Sequence, residues 1–195
     1  LEEQAQGAPR AGALLPGTAG REFGVLFHEV MKGLPLTAAL SPAEIERLAG
    51  GLAHMAAAAM GLQDRAAQEA ARLAALTWAS PDLRDLVRSA EAVEQEVPFV
   101  VPLNRLPVSS GEEGILEGSV DLLLTGPGGT VVLDYKTDRC TPQSLDEVAE
   151  RYWPQLALYG LAVQACGLAR GRTELALLFV RADRLCRKVL DQRLI

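Results

Sequence analysis

Two aspartates and one lysine near the middle of the chain have the residue types and the spacing for metal-dependent chemistry. They are Asp121, Asp134 and Lys136. Carboxylate oxygens suit Mg²⁺, which usually takes one or two carboxylates and leaves positions for water and a substrate phosphate. A nearby lysine supplies a mobile positive charge that orients an attacking water or stabilises a pentavalent phosphate. The three residues therefore indicate hydrolysis of a phosphodiester bond.

A predicted β-hairpin brings these residues together. The segment Gly126-Pro127-Gly128-Gly129 is typical of a tight turn, and it lies between two segments with strand-like composition, 114–125 and 130–137. A symmetric hairpin about this turn places Asp121 directly opposite Asp134. Like charges so placed repel each other across the strands, so a cation is expected between them.

The same register predicts which residues share a face. It pairs Ser119 with Lys136, and the two-residue period of a strand then puts both on one face with Asp121 and Asp134. A one-residue bulge in the turn would change this pairing. Taken alone, the short Asp-x-Lys pattern is also typical of an exposed polar face with an incidental salt bridge. The opposite face is expected to be core, formed by Val120, Leu122, Leu124, Val131, Leu133 and Tyr135.

The pattern of apolar residues predicts an α/β (α+β) fold. Helices are predicted near 21–31, then at 42–61, 63–78 and from Pro81 onward, the second opened by a capping box at Ser41–Glu44. Strands are predicted at 93–102, 114–125, 130–137 and 174–181, with a further candidate at 187–194. A second capping box at Ser144–Glu147 predicts a helix that Pro154 interrupts or restarts and Gly167 closes. The expected architecture is a central mixed β-sheet flanked by helices, with a helical N-terminal half.

The length and the termini suggest one domain taken from a larger protein. With 195 residues, of which 49% are hydrophobic, the chain can bury a full core. Residues 1–19 have no periodicity and are interpreted as a linker. The chain begins at Leu1 and lacks the features of a signal peptide, so a fragment of a longer polypeptide is expected. No apolar run approaches the roughly 20 residues that cross a bilayer, so no membrane association is expected.

Charge and cysteine content restrict the environment and the partners. The net charge of −6 has the wrong sign for binding nucleic acid by bulk electrostatics, so any such affinity must be local, metal-mediated or supplied by an attached partner. The three cysteines, Cys140, Cys166 and Cys186, are an odd number without C-x-x-C spacing. This argues against a disulfide framework and against a zinc site. A reducing, cytoplasmic location is expected.

Four motifs occur in order between residues 20 and 160. They are Gly20-Arg21-Glu22-Phe23-Gly24-Val25-Leu26-Phe27-His28-Glu29, Gly118-Ser119-Val120-Asp121, Asp134-Tyr135-Lys136-Thr137 and Tyr152-x-x-Gln155-x-x-x-Tyr159. Jointly they resemble the RecB-type nuclease domains of the PD-(D/E)XK superfamily, most of all the C-terminal nuclease domain of AddA helicase–nuclease subunits. The resemblance implies a restriction-endonuclease-like core over residues 20–195, with residues 41–90 as a helical insertion.

The resemblance also implies a role for each site residue. It gives His28, Asp121 and Asp134 as metal ligands, the backbone carbonyl of Tyr135 as a further ligand, and Lys136 as the catalytic lysine. Gln155 and Tyr159 match a motif placed beside the site, where they would position the substrate or the attacking water. Their spacing of four residues puts them on one side of a helix. Glu96 resembles an acid common at a strand start in this family, but no ligand role is assigned to it.

Cofactor and partners follow from the same resemblance. It implies Mg²⁺, for which Mn²⁺ could substitute, at a site of one or two metals, and DNA as the substrate. It further implies an attached helicase motor, a second nuclease subunit, and processing of double-strand DNA ends in recombinational repair. Three cysteines cannot hold the four-cysteine iron–sulfur cluster of some relatives, so no such cluster is expected.

Two other functions are compatible with the same residues. One is a catalytically silent nuclease-like module that only binds DNA or a partner. The other is an interaction domain whose alanine-rich helical half docks a helicase while the sheet supports it. Intact Asp121, Asp134 and Lys136 argue against the first, and the second could coexist with catalysis.

Overall fold

Six α-helices and five strands make up the described part of the chain, residues 16–107 and 113–194 of a computed structural model. The helices are α1 (Pro16–Gly33), α2 (Pro42–Ala59), α3 (Asp64–Ala79), α4 (Pro81–Ser89), α5 (Leu145–Glu150) and α6 (Trp153–Ala165). The strands are β1 (Ala92–Pro102), β2 (Ile115–Gly126), β3 (Gly129–Lys136), β4 (Thr173–Phe179) and β5 (Arg184–Val189). Short 3₁₀ turns lie at Leu103–Arg105 and Gln192–Leu194.

The five strands form one mixed sheet in the order β1-β2-β3-β4-β5. The pair β3 and β4 is parallel, whereas the other three neighbouring pairs are antiparallel. Two parallel strands need a crossover connection, and α5 and α6 supply it. The predicted mixed sheet flanked by helices is confirmed.

Helices cover both faces of the sheet. The first four helices pack on one face and form what we call the α1 layer, with a core that includes Leu26, Phe27, Val30, Leu83, Leu122, Leu133 and Tyr135. Helices α5 and α6 pack on the other face and form the α6 layer, with Val120, Val132, Trp153, Leu156, Leu175 and Leu177. A strand buried on both faces reads as a continuous apolar run, which explains the sequence of β4.

Of the two predicted capping boxes, the one at Ser41 is present and the one at Ser144 is absent. Ser41 caps α2, since its backbone N–H donates to Glu44 Oε2 at 2.8 Å and its hydroxyl accepts from the Glu44 N–H. The capping box predicted at Ser144 is wrong, because its hydroxyl bonds Thr141 in the preceding turn and does not cap α5. Pro154 lies in the first turn of α6 and restarts the helix there, as one of the two predicted alternatives required.

Two elements, α1 and β5, depart most from their predicted bounds. Helix α1 begins at Pro16, so it includes the last four residues of the predicted linker, while residues 1–15 of that linker lie outside the described residues. A proline in the first helical turn costs no hydrogen bond, so it does not prevent this earlier start. Strand β5 is Arg184–Val189 and starts three residues before the predicted candidate, because it follows directly on the turn after β4.

The predicted hairpin register is confirmed in the part that is paired. Gly126 pairs with Gly129 across the turn, and the ladder continues as far as Leu122 with Leu133. Beyond this pair, β2 stays paired only with β1, and β3 only with β4. The two strands of the hairpin therefore stop pairing just before Asp121 and Asp134.

Gly129 is required for the geometry of this turn. Its φ angle is 114°, which L residues rarely adopt, and a β-carbon there would collide with the carbonyl oxygen of Arg172. We expect Gly129→Ala to lower the free energy of unfolding by at least about 2 kcal/mol, measured by urea denaturation. The matched control is Gly128→Ala, where a β-carbon meets open space, with an expected change within about 0.5 kcal/mol. Equal losses for the two variants would contradict this role of Gly129.

Strand β2 changes face at Asp121. Val120 packs in the α6 layer, Leu122 packs in the α1 layer, and the carboxylate of Asp121 reaches His28 on α1. Two consecutive residues, Asp121 and Leu122, are thus directed to the same side of the sheet. The prediction that Val120 shares a core face with Leu122 is therefore wrong, and both faces of the strand are core.

Strand β1 makes the same change at Glu96. The side chain of Gln95 donates to the backbone carbonyl of Met31 in the α1 layer at 2.8 Å, whereas Val97 is buried in the α6 layer. Glu96 between them has a φ angle of 52°, an uncommon conformation for a residue with a side chain. Because Glu96 and Asp121 lie at matching positions of neighbouring strands, their carboxylates reach the same side of the sheet.

Candidate active site

The carboxylate of Asp121 lies where β2 and β3 stop pairing, and protein groups bind both of its oxygens. The backbone N–H of Tyr135 donates to Oδ2 at 2.8 Å, and Nδ1 of His28 lies 3.1 Å from Oδ1. The aspartate side chain therefore connects β3 to β2 and β2 to α1. Helix packing brings together His28 and Asp121, which lie 93 residues apart in the sequence.

Three potential ligand atoms converge at this point. One atom each of His28, Glu96 and Asp121 lie within 4.8 Å of one another. One imidazole nitrogen and two carboxylates are a donor set that suits a divalent cation. The sequence alone assigns Glu96 no ligand role, because the direction of its side chain depends on its unusual backbone angle. The signal in the sequence that could have identified Glu96 is its place at a strand start, in Glu96-Val97-Pro98-Phe99, where relatives commonly carry an acid.

Asp134 and Lys136 occupy the other side of β3. Leu133 and Tyr135 pack in the α1 layer, so the alternation of the strand directs Asp134 and Lys136 to the α6 layer. The prediction that both share one face with Asp121 is therefore wrong. Its cause is the change of face at Asp121, which places the two aspartates across the gap between the strands.

Ser119 is the fourth member of that predicted face. Its hydroxyl donates to Glu96 Oε2 at 3.2 Å, and its backbone pairs with Pro98 of β1. Lys136 pairs instead with Phe179 of β4. The predicted pairing of Ser119 with Lys136 is wrong because the ladder between β2 and β3 ends before it reaches either residue.

The Asp134 carboxylate is held in an unfavourable environment. Burial, and secondly the charge of Asp121, raise its pKa from 3.8 to about 6, although Lys136 opposes the shift. Lys136 Nζ lies 2.5 Å from Asp134 Oδ2 but outside hydrogen-bond geometry. This oxygen is buried and accepts no hydrogen bond from residues that the structure describes. Lys136 is near this oxygen but does not supply the hydrogen bond that a buried carboxylate needs, so the site fits a cation that would take the oxygen as a ligand.

The neighbouring ionisable groups show the same excess of negative charge. Burial, and then the charge of Asp121, raise the pKa of Glu96 above its ordinary value. Burial disfavours the charged form of His28, but the hydrogen bond with Asp121 and the charges of the nearby acids outweigh it, so its pKa is raised above 6.5. The acids therefore favour a positive charge in their midst.

A cleft of about 800 Å³ opens beside these residues. Its lining includes His28, Tyr135 and Lys136 together with three arginines, Arg21, Arg139 and Arg181. The arginines provide local positive charge in a chain whose net charge is −6. The cleft therefore offers an anionic ligand a route to the acidic centre.

Sequence comparisons agree with this arrangement. Residues 3–192 match the family model of the PD-(D/E)XK nuclease superfamily. The chain belongs to this superfamily. The mixed sheet flanked by helices is thus the fold of a PD-(D/E)XK nuclease domain.

The relatives of this PD-(D/E)XK domain include subunits of helicase–nucleases. It is 32% identical to an ATP-dependent helicase/nuclease subunit of Desulforudis audaxviator over 155 residues, which cover 76% of this chain and 12% of that protein. The corresponding subunits of Bacillus licheniformis and Oceanobacillus iheyensis are 31% and 30% identical, over 76% and 73% of this chain and 13% and 12% of theirs. The predicted similarity to AddA subunits is confirmed, and the chain spans about an eighth of these proteins.

The PD-(D/E)XK domain places Gln155 and Tyr159 beside each other on α6. Gln155 Nε2 donates to the Tyr159 hydroxyl at 3.2 Å, and the Tyr159 ring packs edge-on against Phe99 of β1 at 5.0 Å between centroids. The residue of the same motif that contacts Lys136 is Tyr152, which lines the cleft. The predicted roles of Gln155 and Tyr159 stay predictions.

Arg181 of the PD-(D/E)XK domain connects helix α3 to the edge of the cleft. It follows β4, and its Nε donates to the carbonyl oxygen of Thr137 at 2.8 Å, one residue after Lys136. Its guanidinium also pairs with Glu69 of α3 and lies 4.7 Å from the ring centroid of Phe23.

None of the helices within residues 16–107 and 113–194 combines the length and hydrophobicity that crossing a membrane requires.

Proposed function

We propose that this domain hydrolyses phosphodiester bonds of DNA with Mg²⁺ as its cofactor. The proposed ligands are His28, Asp121, Asp134 and the backbone carbonyl of Tyr135, and Glu96 faces the same centre. The observation that supports this most directly is the buried Oδ2 of Asp134, which has Lys136 beside it but accepts no hydrogen bond from the described residues. A bound Mg²⁺ would polarise the scissile phosphate and lower the pKa of the attacking water.

Lys136 has the catalytic role among the protein side chains. Its Nζ lies at the acidic centre, beside Asp134, and its side chain is 14% exposed at the cleft. From this position the ammonium group donates a hydrogen bond to the attacking water or to a phosphate oxygen. Negative charge develops on the phosphate in the transition state, so a fixed cation there lowers the barrier.

The substrate and the larger assembly are inferred from the relatives. Their names describe them as ATP-dependent helicase/nuclease subunits, so we infer that a helicase motor is part of the full-length chain. The further proposal is exonucleolytic processing of double-strand DNA ends in recombinational repair, in the cytoplasm, together with a second nuclease subunit. Gln155 and Tyr159 would position the DNA strand at the side of the α6 layer.

Divalent-ion dependence and the Lys136→Ala variant test this function. We expect the purified chain to cleave a DNA oligonucleotide in Mg²⁺ or Mn²⁺ and to lose all cleavage in EDTA. Lys136→Ala is expected to lower the cleavage rate by about 10²- to 10³-fold, because it removes a charge that acts in the transition state. The rate is measured at a protein concentration that saturates the DNA.

A second lysine provides the matched control for this assay. Lys188 pairs with Glu150 on the surface and lies outside the residues that line the cleft, so Lys188→Ala is expected to keep the wild-type rate. Binding of DNA without cleavage by the wild-type chain would favour the catalytically silent module. Equal cleavage by wild type and Lys136→Ala would exclude the proposed role of Lys136.

A further inference from the structure

Lys136 needs an external support to hold its charged group in place. The lysine ammonium lies at the end of a flexible four-carbon stem, and fixing it costs conformational entropy. Asp134 approaches Nζ from one side, at 2.5 Å. A second group contacts Nζ, namely the ring of Tyr152, whose centroid is 4.1 Å away. This separation is within the range of an attractive cation–π interaction.

Tyr152 is itself fixed at both ends of its side chain. It immediately precedes α6, and its ring packs against Phe179 at 6.5 Å between centroids. Its hydroxyl lies 3.0 Å from each carboxylate oxygen of Asp138 and donates to this carboxylate. Burial, and then the hydrogen bond to Asp138, raise the pKa of Tyr152 to about 12, so the hydroxyl keeps its proton and remains a donor at neutral pH.

Asp138 and Tyr152 come from different segments of the chain. Asp138 lies two residues after Lys136, just beyond the end of β3, whereas Tyr152 comes from the helical connection to β4. The hydrogen bonds to Asp138 therefore fix the Tyr152 ring relative to the strand end that presents Lys136. The ring that contacts Nζ is therefore itself held in place from the end of β3.

We propose that Tyr152, anchored by Asp138, is a positioning residue that holds the ammonium group of Lys136 for phosphodiester hydrolysis. The hydrolytic role of Lys136 in this statement rests on the proposed function. The pair acts through the lysine, because Tyr152 supplies the face of its ring and Asp138 fixes the orientation of that ring. Two substitutions at Tyr152 separate these contributions. Tyr152→Phe removes the hydroxyl and keeps the ring, whereas Tyr152→Leu removes both.

The kinetic test compares Tyr152→Phe with Tyr152→Leu in the whole chain, with Mg²⁺ and a DNA oligonucleotide. Loss of the ring in Tyr152→Leu is expected to lower kcat by about tenfold, with KM within about twofold of wild type. Tyr152→Phe keeps the ring and is expected to keep kcat close to that of wild type. Arg151→Leu removes the side chain of an exposed neighbour and is expected to keep the wild-type kcat.

A double-mutant cycle tests the part played by Asp138. Asp138→Ala alone is expected to lower kcat only about twofold, as is Tyr152→Phe, since either change removes the same hydrogen bonds while the ring is kept. Asp138→Ala in the Tyr152→Phe background is expected to cause no further loss. Independent, multiplicative losses would overturn the anchoring role. Equal kcat losses for Tyr152→Phe and Tyr152→Leu, or a loss confined to KM, would overturn the role of the ring.

A spectroscopic readout separates this inference from the proposed function. The lysines of the chain are Lys32, Lys136 and Lys188, so the ε-methylene NMR signals of labelled lysine are readily assigned by substitution. We expect the Lys136 signal to be shifted by the Tyr152 ring in wild type and Tyr152→Phe, and to lose this shift in Tyr152→Leu. An unchanged signal in Tyr152→Leu overturns the inference, even in a protein that cleaves DNA. The ring shift in a wild-type protein without cleavage supports the contact while it contradicts the proposed function.

Discussion

Replacement of Asp134 by alanine is expected to lower the rate of Mg²⁺-dependent DNA cleavage by at least about 10³-fold. The variant loses a proposed metal ligand and the partner of Lys136 Nζ at the same time. Single-turnover cleavage of a DNA oligonucleotide measures the rate. Calorimetric titration with Mn²⁺ is expected to show weaker metal binding in the same variant, because one oxygen ligand has been removed.

An exposed aspartate supplies the control for Asp134. The side chain of Asp85 is 72% exposed and pairs with Arg88 on the surface of α4, so Asp85→Ala is expected to keep wild-type cleavage and metal binding. Circular dichroism should show that both variants are folded. A folded Asp134→Ala variant that cleaves DNA at the wild-type rate would remove Asp134 from the proposed site.

Replacement of Phe27 by alanine is expected to destabilise the domain by about 3–5 kcal/mol. The Phe27 side chain is fully buried in the α1 layer, where its ring packs edge-on against Tyr135 and His28, with centroids 6.0 and 6.1 Å away. Its removal leaves a cavity directly behind the proposed active site. Urea denaturation monitored by circular dichroism gives the change in free energy of unfolding.

The same helix carries a control for this prediction. Val25 lies two residues before Phe27 and is 49% exposed, so Val25→Ala is expected to change stability by less than about 0.5 kcal/mol. Both variants shorten an apolar side chain on α1, and they differ in burial. A loss below about 1 kcal/mol for Phe27→Ala would show that the layer behind the site repacks around the missing ring.

The hairpin and its register could be predicted because short-range rules determine them. A two-residue turn between Gly126 and Gly129 fixes which residues pair, and counting outward from it gives the observed partners as far as Leu122 and Leu133. The capping box at Ser41 is equally local, since all of its hydrogen bonds lie within four residues. These features depend on few atoms, and the sequence names all of them.

The directions of the site side chains could not be predicted in this way. Strict alternation holds for a regular strand, whereas β1 and β2 change face together at Glu96 and Asp121. The change depends on two neighbouring strands and on the packing of helices against both faces. No pattern within one strand contains that information, so alternation alone puts Asp121 on the same face as Asp134 and Lys136, which is wrong.

His28 shows what the family resemblance added. A histidine on an amphipathic helix is usually exposed or satisfied by a local hydrogen bond, and its spacing does not indicate a partner. Its contact with Asp121 arises only when α1 packs across the sheet. The motif containing His28 pointed to this site, whereas helical periodicity could only place it on α1.

The two hydrogen bonds of Asp121 have a practical consequence for experiments on this domain. Its carboxylate is a proposed metal ligand, and its hydrogen bonds also connect β2 to β3 and to α1. Any substitution there therefore alters the packing of these elements as well as the proposed metal site. Asp134 Oδ2 accepts no hydrogen bond from the described residues, and its neighbour Lys136 belongs to the same strand, so this oxygen connects no separate elements. An inactive but intact protein, suitable for trapping uncleaved DNA, is therefore better made by changing Asp134 than by changing Asp121.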